Sequence, residues 1–185
     1  IFILTLIISM PLGFVITFAR MSKCAFLRNL AKFYISVLRG TPLMLQLMVV
    51  YFFPFYLFGM SIGNWRYPAI IVGFAINYSA YFAEIYRSGI EAIPKGQYEA
   101  AGILGYNKIQ TFVKIILPQV FKIILPSVTN EVITLVKDTS LAFAIAYTEM
   151  FTLAKQISAK DSNIIPLFIA GLFYYIFNFV VAAIM

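Results

Sequence analysis

The sequence predicts an all-α integral membrane protein of five transmembrane helices with one short cytoplasmic helix, amino terminus outside and carboxyl terminus inside. Three observations carry that expectation. The chain is 62% hydrophobic and only 11% charged, with a mean hydropathy of +0.92, more apolar surface than a soluble core of this size would bury. Apolar runs of about 20 residues, the length that crosses a hydrocarbon core, recur five times. The Lys and Arg residues behind the net charge of +7 sit at the ends of those runs and form no continuous basic face, so they set topology and do not point to nucleic acid. Cys24 is the single cysteine and histidine is absent, which leaves neither an internal disulfide nor a soft metal site, and no metal ligands are expected.

The first run, about 1–19, lacks a basic leader and a small-residue cleavage site, so it is expected to be a true span and not a removed signal peptide. The chain begins without an initiator methionine and stops inside an apolar run, so both ends are expected to be trimmed. Arg20, Lys23, Arg28, Lys32 and Arg39 make the first connection cytoplasmic, and the second span follows at about 36–58. The connection from Gly59 to Arg66 carries only Arg66, whereas the one after the third span, about 67–87, carries Arg87, Lys95, Lys108 and Lys114. That third connection is therefore also inside. A fourth span is expected at about 118–137 and a fifth at 163–185. Between them, 138–156 is apolar but short and bracketed by Lys137, Asp138, Glu149 and Lys155, so it reads as a partial helix on the outer side. Pro11, Pro42, Pro54, Pro68, Pro118 and Pro126 mark kinks that membrane helices tolerate. Phe52, Phe53, Phe55, Tyr56, Trp65 and Tyr67 form an aromatic belt at the outer boundary.

One polar island interrupts this pattern. After Ile93-Pro94-Lys95-Gly96 the residues from Gln97 to Leu104 are good helix formers, and Gly105 can end the helix at positive φ. Ala100 and Ala101 add little bulk, so a partner can approach the backbone, while Leu104 and Tyr106 are apolar knobs for a partner's groove. The spacing is specific: Glu99-Ala100-Ala101, three residues, Gly105, nine residues, Ile115, one residue, Leu117-Pro118. It resembles the cytoplasmic loop by which permease subunits of ATP-binding cassette importers dock onto their ATPases. Arg39-Gly40-Thr41-Pro42-Leu43 followed by Gln46-Leu47, the run from Tyr81 to Ile90, Ile93 to Gln97, and Leu135 to Leu141 are similar to the permeases for polar amino acids. The likeness extends from about Val37 to Ala142.

That resemblance implies one transmembrane permease domain over 1–185, with a coupling-helix loop at 95–108 in which Tyr98, Glu99, Ala100, Ala101, Gly102, Leu104, Gly105 and Tyr106 engage the ATPase. It implies a bacterial plasma-membrane location, a second permease subunit forming a homodimer or heterodimer, two cytoplasmic ATPases and an extracytoplasmic solute-binding protein, with lipids around the spans. The chain has no glycine loop ending in Gly-Lys-Ser/Thr, so ATP and Mg belong to the partner ATPases and no cofactor is expected in this chain. No chemistry is catalysed by the chain itself.

Charged groups inside spans cost roughly 3 kcal/mol each and need a partner or a cavity, which singles out Glu84, Glu131, Lys137 and Asp138. Asn77, Tyr81 and Glu84 follow at steps of four and three and share one helix face. Thr139 and Ser140 fall where hydrophobicity breaks. An amino acid needs acceptors such as Glu84 or Asp138 and donors such as Asn77, Thr139 or Ser140, so Asn77, Tyr81, Glu84, Asp138, Thr139 and Ser140 are the candidate substrate contacts, with a basic side chain mildly favoured. Pairing of Glu84 with Arg87, or of Lys137 with Asp138, is the other role open to these charges. The competing function is a self-sufficient ion-coupled transporter or channel with Glu84, Glu131 and Asp138 as ion sites.

Overall fold

The computed structural model describes residues 1–59 and 64–184. Residues 60–63 of the expected second connection, and Met185 of the expected fifth span, lie outside the described residues. Nine α-helices occur among the described residues: α1 (Phe2–Arg20), α2 (Ala25–Gly40), α3 (Leu43–Phe58), α4 (Arg66–Glu91), α5 (Lys95–Ile103), α6 (Lys108–Thr111), α7 (Leu117–Asp138), α8 (Met150–Lys160) and α9 (Ile165–Ile184). A π segment, Phe112–Ile116, joins α6 to α7, and a 3-10 segment, Thr139–Ile145, follows α7. Helices α1, α4, α9 and the continuous run Lys108–Ile145 are each long and apolar enough to cross a membrane, and the bent pair α2 and α3 counts as a fifth.

The centre of the molecule is α4. It is buried nearly all round, with Ala69, Ile70, Phe74, Ala80, Phe82 and Ala83 fully enclosed. Helix α1 packs on it through Thr5, Ser9, Gly13 and Thr17, spaced by four and all buried. A Cβ on Gly13 would stand 2.8 Å from Phe82 Cβ and 3.3 Å from both Ala83 N and Ser79 O, so only glycine lets the two backbones approach this closely. Thr17 Oγ1 then donates to Ala83 O at 3.0 Å across the contact.

The expectation of one span over 36–58 is corrected. The chain turns by 111° between α2 and α3. Pro42 lacks the amide that would continue the helix, and it forces Thr41 into extended backbone, φ −121 and ψ 150. A break inside a membrane protein strands carbonyls that hydrocarbon cannot satisfy. Side chains satisfy them: Thr41 Oγ1 donates to Val37 O at 2.8 Å, and Leu38 O accepts from Gln46 Nε2 at 2.9 Å and from Asn77 Nδ2 at 3.1 Å. The result is an amphipathic α2 with Arg28, Lys32, Ser36 and Arg39 on one face and Leu27, Leu30 and Val37 on the other.

The stretch 138–156 is split. The 3-10 segment ends at Ala146, which takes a left-handed φ of 54, and α8 begins after Glu149, whose carboxylate caps it by accepting from Phe151 N and Thr152 N at 2.9 and 2.8 Å.

Candidate functional site

A polar cavity of about 150 Å³ lies between α4 and α7, closed at one side by Leu43 at the start of α3. Asn77, Tyr78 and Tyr81 of α4 and Glu131, Thr134 and Asp138 of α7 line it. On α7 the three polar residues are spaced by three and four, so one face carries two carboxylates and a hydroxyl. Tyr78 is buried and donates its hydroxyl to Asp138 Oδ2 at 2.7 Å. The Arg39 guanidinium lies 5.2 Å from the centre of the Tyr81 ring, a cation–π contact that brings the α2 end to the cavity. Two carboxylates, two phenols and an amide oxygen around one small space can hold an ammonium or guanidinium.

Of the substrate contacts expected from sequence, Asn77, Tyr81 and Asp138 meet at this cavity. Both hydrogens of the Asn77 amide are already engaged, by Leu38 O and by Gln46 Oε1 at 2.9 Å, which leaves its oxygen as the free group. Glu84 does not line the cavity. Its carboxylate accepts from Arg87 Nη2 at 2.7 Å and lies 3.8 Å from Arg20 Nε, while Arg87 also bonds Glu91. The pairing role left open by the sequence is the one seen, with Arg20 of α1 as an additional partner. The hydroxyls of Thr139 and Ser140 donate to Val136 O and Lys137 O, both at 2.7 Å, and so cap the end of α7. Neither lines the cavity; Thr139 faces a separate groove beside Tyr147, Glu149 and Tyr174. Asp138 bonds Tyr78, and no Lys137–Asp138 ion pair occurs among the described residues. Tyr78, Glu131 and Thr134 complete the cavity although sequence reasoning did not place them in the contact set. Glu131 carried a signal as a charge within a span, whereas Tyr78, one residue beyond Asn77, falls off the face that the Asn77, Tyr81 and Glu84 spacing defines.

The second candidate region is the α5 turn. Helix α5 starts at Lys95 after Pro94, which presets φ at −60. It ends in a paired motif: Gly105 N donates to Gly102 O and Tyr106 N to Ala101 O, both at 3.0 Å, with Gly105 at φ +78. Asn107 then opens α6 with a reciprocal capping box, its Oδ1 accepting from Gln110 N at 2.9 Å while its own N–H donates to Gln110 Oε1 at 3.0 Å. The turn is thereby fixed on both sides. The expectation that both alanines open the backbone to a partner is corrected in part: Ala101 is buried, whereas Ala100, Glu99 and Gly102 are exposed. Apolar side chains that a polar loop would hide stand in the open, Ile103 at 88%, Ile109 at 76% and Leu104 at 73% exposure, flanked by Tyr98 and Tyr106. Ile103 and Ile109 add to the surface expected from sequence.

Residues 9–185 match the family described as the binding-protein-dependent transport system inner membrane component. The chain is 38% identical to the L-cystine transport system permease protein TcyB of Bacillus subtilis, over 94% of this chain and 73% of that one. It is 41% identical to the arginine transport system permease protein ArtQ of the same organism, over 94% and 79%. Its fold superimposes with a TM-score of 0.87 and 33% identity on the crystal structure of an amino acid ABC transporter with histidines, covering 98% of this chain and 84% of that chain. This multi-pass chain of the bacterial inner membrane belongs to the family of binding-protein-dependent transport system inner membrane components, the permease subunits of ATP-binding cassette importers.

Proposed function

We propose that the whole chain acts as one permease unit, pairs with a second permease subunit and forms the path for a polar amino acid, with ATP bound and hydrolysed by two cytoplasmic partner subunits. The observation that carries the substrate side is the α4–α7 cavity, where Glu131 and Asp138 face one small space. The two carboxylates outnumber the Arg39 guanidinium at the cavity edge, which favours a cationic occupant, because a carboxylate in a span is costly without a counter-charge. Relatives named for arginine and L-cystine transport support an amino acid as cargo. In the coupling role, α5 sits inside the cell, the amino terminus outside and the carboxyl terminus inside. Tyr98, Glu99, Ala100, Gly102, Ile103, Leu104 and Tyr106 meet the ATPase, and Ala101 and Gly105 hold the turn in shape. An extracytoplasmic binding protein delivers the amino acid to the opposite end.

The test is ATP-driven uptake of labelled arginine, and of other amino acids in turn, by the complex reconstituted with its ATPase and binding protein. Glu131→Gln and Asp138→Asn are expected to lower uptake at least tenfold. Gly105→Val, which forces a β-branched residue to φ +78, is expected to abolish both uptake and stimulated ATP hydrolysis while the subunit stays in the membrane. Unchanged uptake of every amino acid in both cavity variants would move the site elsewhere.

A further inference from the structure

We propose that the groove between α1 and the apolar face of α2 is a binding site for an anionic phospholipid, with an acyl chain in the groove and the phosphate held at the α1–α2 connection by Lys23 and Arg28. The groove encloses about 500 Å³ and is lined by Val15 and Ala19 of α1 and by Leu27, Leu30 and Val37 of α2, among others. Its one polar lining side chain, Tyr34, has its hydroxyl engaged with Ile76 O and Ser79 Oγ, both at 2.8 Å. Nothing in the groove is left to hydrogen-bond a polar ligand, so its occupant is hydrocarbon.

Charge selects which hydrocarbon. Arg20, Lys23, Arg28, Lys32 and Arg39 precede the first acidic residue of the chain, Glu84. Arg20 is paired with Glu84, whereas no ion pair involves Lys23, Arg28, Lys32 or Arg39 among the described residues. Arg28 Nη1 donates to Ser22 O at 3.4 Å, which holds its guanidinium at the connection, the end of the groove where Ala19 and Leu27 converge. A helix divided into a basic face and an apolar face lies in the headgroup layer, and unpaired cations at that depth attract anionic lipids. A second copy of this chain is a poor occupant, because it would bring the same uncompensated cations to the same place.

Cys24, free and exposed at the connection, supplies the probe position. A fluorophore on Cys24, in the complex in phosphatidylcholine nanodiscs, is quenched by added phospholipid with a nitroxide on the acyl chain. Nitroxide phosphatidylglycerol is expected to reach half-quenching at a mole fraction several-fold lower than nitroxide phosphatidylcholine. Lys23→Gln with Arg28→Gln should bring the two curves together. Ala19→Phe and, independently, Val15→Trp fill the groove without changing charge and should weaken the phosphatidylglycerol curve several-fold. Equal curves for the two lipids in the unmodified complex would overturn the proposal, as would a preference for phosphatidylglycerol that survives both groove-filling variants, since charge alone would then suffice. Quenching by neither lipid would mean that another protein surface covers the groove, and would overturn it as well. The readout is binding, so the result is independent of whether the transport reading holds.

Discussion

Helices α4 and α9 are both long and apolar enough to cross a bilayer, yet 72% of the most apolar stretch of α4 is buried in the protein against 6% for α9. The more apolar helix is the one outside. In water the opposite would hold, because apolar surface would be driven inward. Hydrocarbon can solvate side chains such as the exposed Phe168, Leu172, Phe173 and Phe179 of α9 as well as a protein core would, so the interior goes to the helix that packs closely and hydrogen-bonds. That is α4, with Gly73 and Gly89 at tight contacts, buried Ala69, Ala75, Ala80 and Ala83, and buried Asn77 and Ser79. The polar cavity sits on α4 for the same reason: only a helix screened from lipid can carry an amide and two tyrosines toward carboxylates.

The difference can be broken most strongly at Gly13, where α1 meets α4. The atoms that a side chain would strike include backbone, which cannot swing aside, so Gly13→Leu is expected to destabilise the protein by about 3 kcal/mol, measured as a lowered midpoint of unfolding in detergent. Next comes Asn77→Leu. It leaves Leu38 O with one donor fewer and Gln46 Oε1 without its amide partner, at a cost of about 2 kcal/mol. Because Asn77 also lines the cavity, Asn77→Asp sharpens the comparison: uptake should fall, and since the carboxylate removes both amide hydrogens and sets acceptor oxygens against Leu38 O and Gln46 Oε1, the loss of stability should be at least that of Asn77→Leu. An unchanged stability in both variants would mean that the amide hydrogens do not hold the α2–α3 break.

These contrasts also explain what was legible in the sequence. The α5 turn could be read because its determinants lie within a few residues of one another: Pro94 before the first turn and Gly105 at positive φ. Five apolar runs were legible from composition, but hydropathy carries no direction, so the 111° turn at Thr41-Pro42 was hidden inside one apolar stretch. Its stabilising partner, Asn77, comes from another helix. Half of the cavity, Asn77, Tyr81 and Asp138, followed from polarity and helical spacing. Glu131 and Thr134 share a face with Asp138 by spacing, but that this face and Tyr78 meet at one cavity depended on how α4 and α7 pack, which no local pattern encodes. Thr139 and Ser140 lie off the cavity because a hydroxyl near a helix end serves its own backbone as readily as a ligand. Glu84 could be narrowed to two roles, and its bond to Arg20 required the α1–α4 contact.

Smaller perturbations test whether hydrogen bonding or close packing dominates at α4. Thr17→Val keeps the shape and removes the bonds to Gly13 O and Ala83 O, 2.8 and 3.0 Å long. The expected loss is about 0.6 kcal/mol, the usual size for a hydroxyl bond between membrane helices, well below the effect of Gly13→Leu. Packing then outweighs the hydrogen bond at the same interface. A loss equal to that of Gly13→Leu would reverse the order and make the threonine the principal tie.

The smallest effect is expected on α9. A Cβ at Gly171 meets no atom within 4 Å, so Gly171→Leu adds a side chain that only lipid or detergent would touch. Helix propensity improves, no contact is lost, and the change in stability should stay within about 0.5 kcal/mol, checked by the same unfolding measurement on the subunit alone and in the assembled complex. A destabilisation as large as that of Gly13→Leu, seen only in the complex, would show that a second subunit packs on α9. The exposed aromatic face would then be an interface, and its high hydropathy would report a protein partner and not the bilayer. An unchanged midpoint in both states would leave lipid as the solvent of α9, with small residues and hydrogen bonds, not hydropathy, deciding which helices enter the interior.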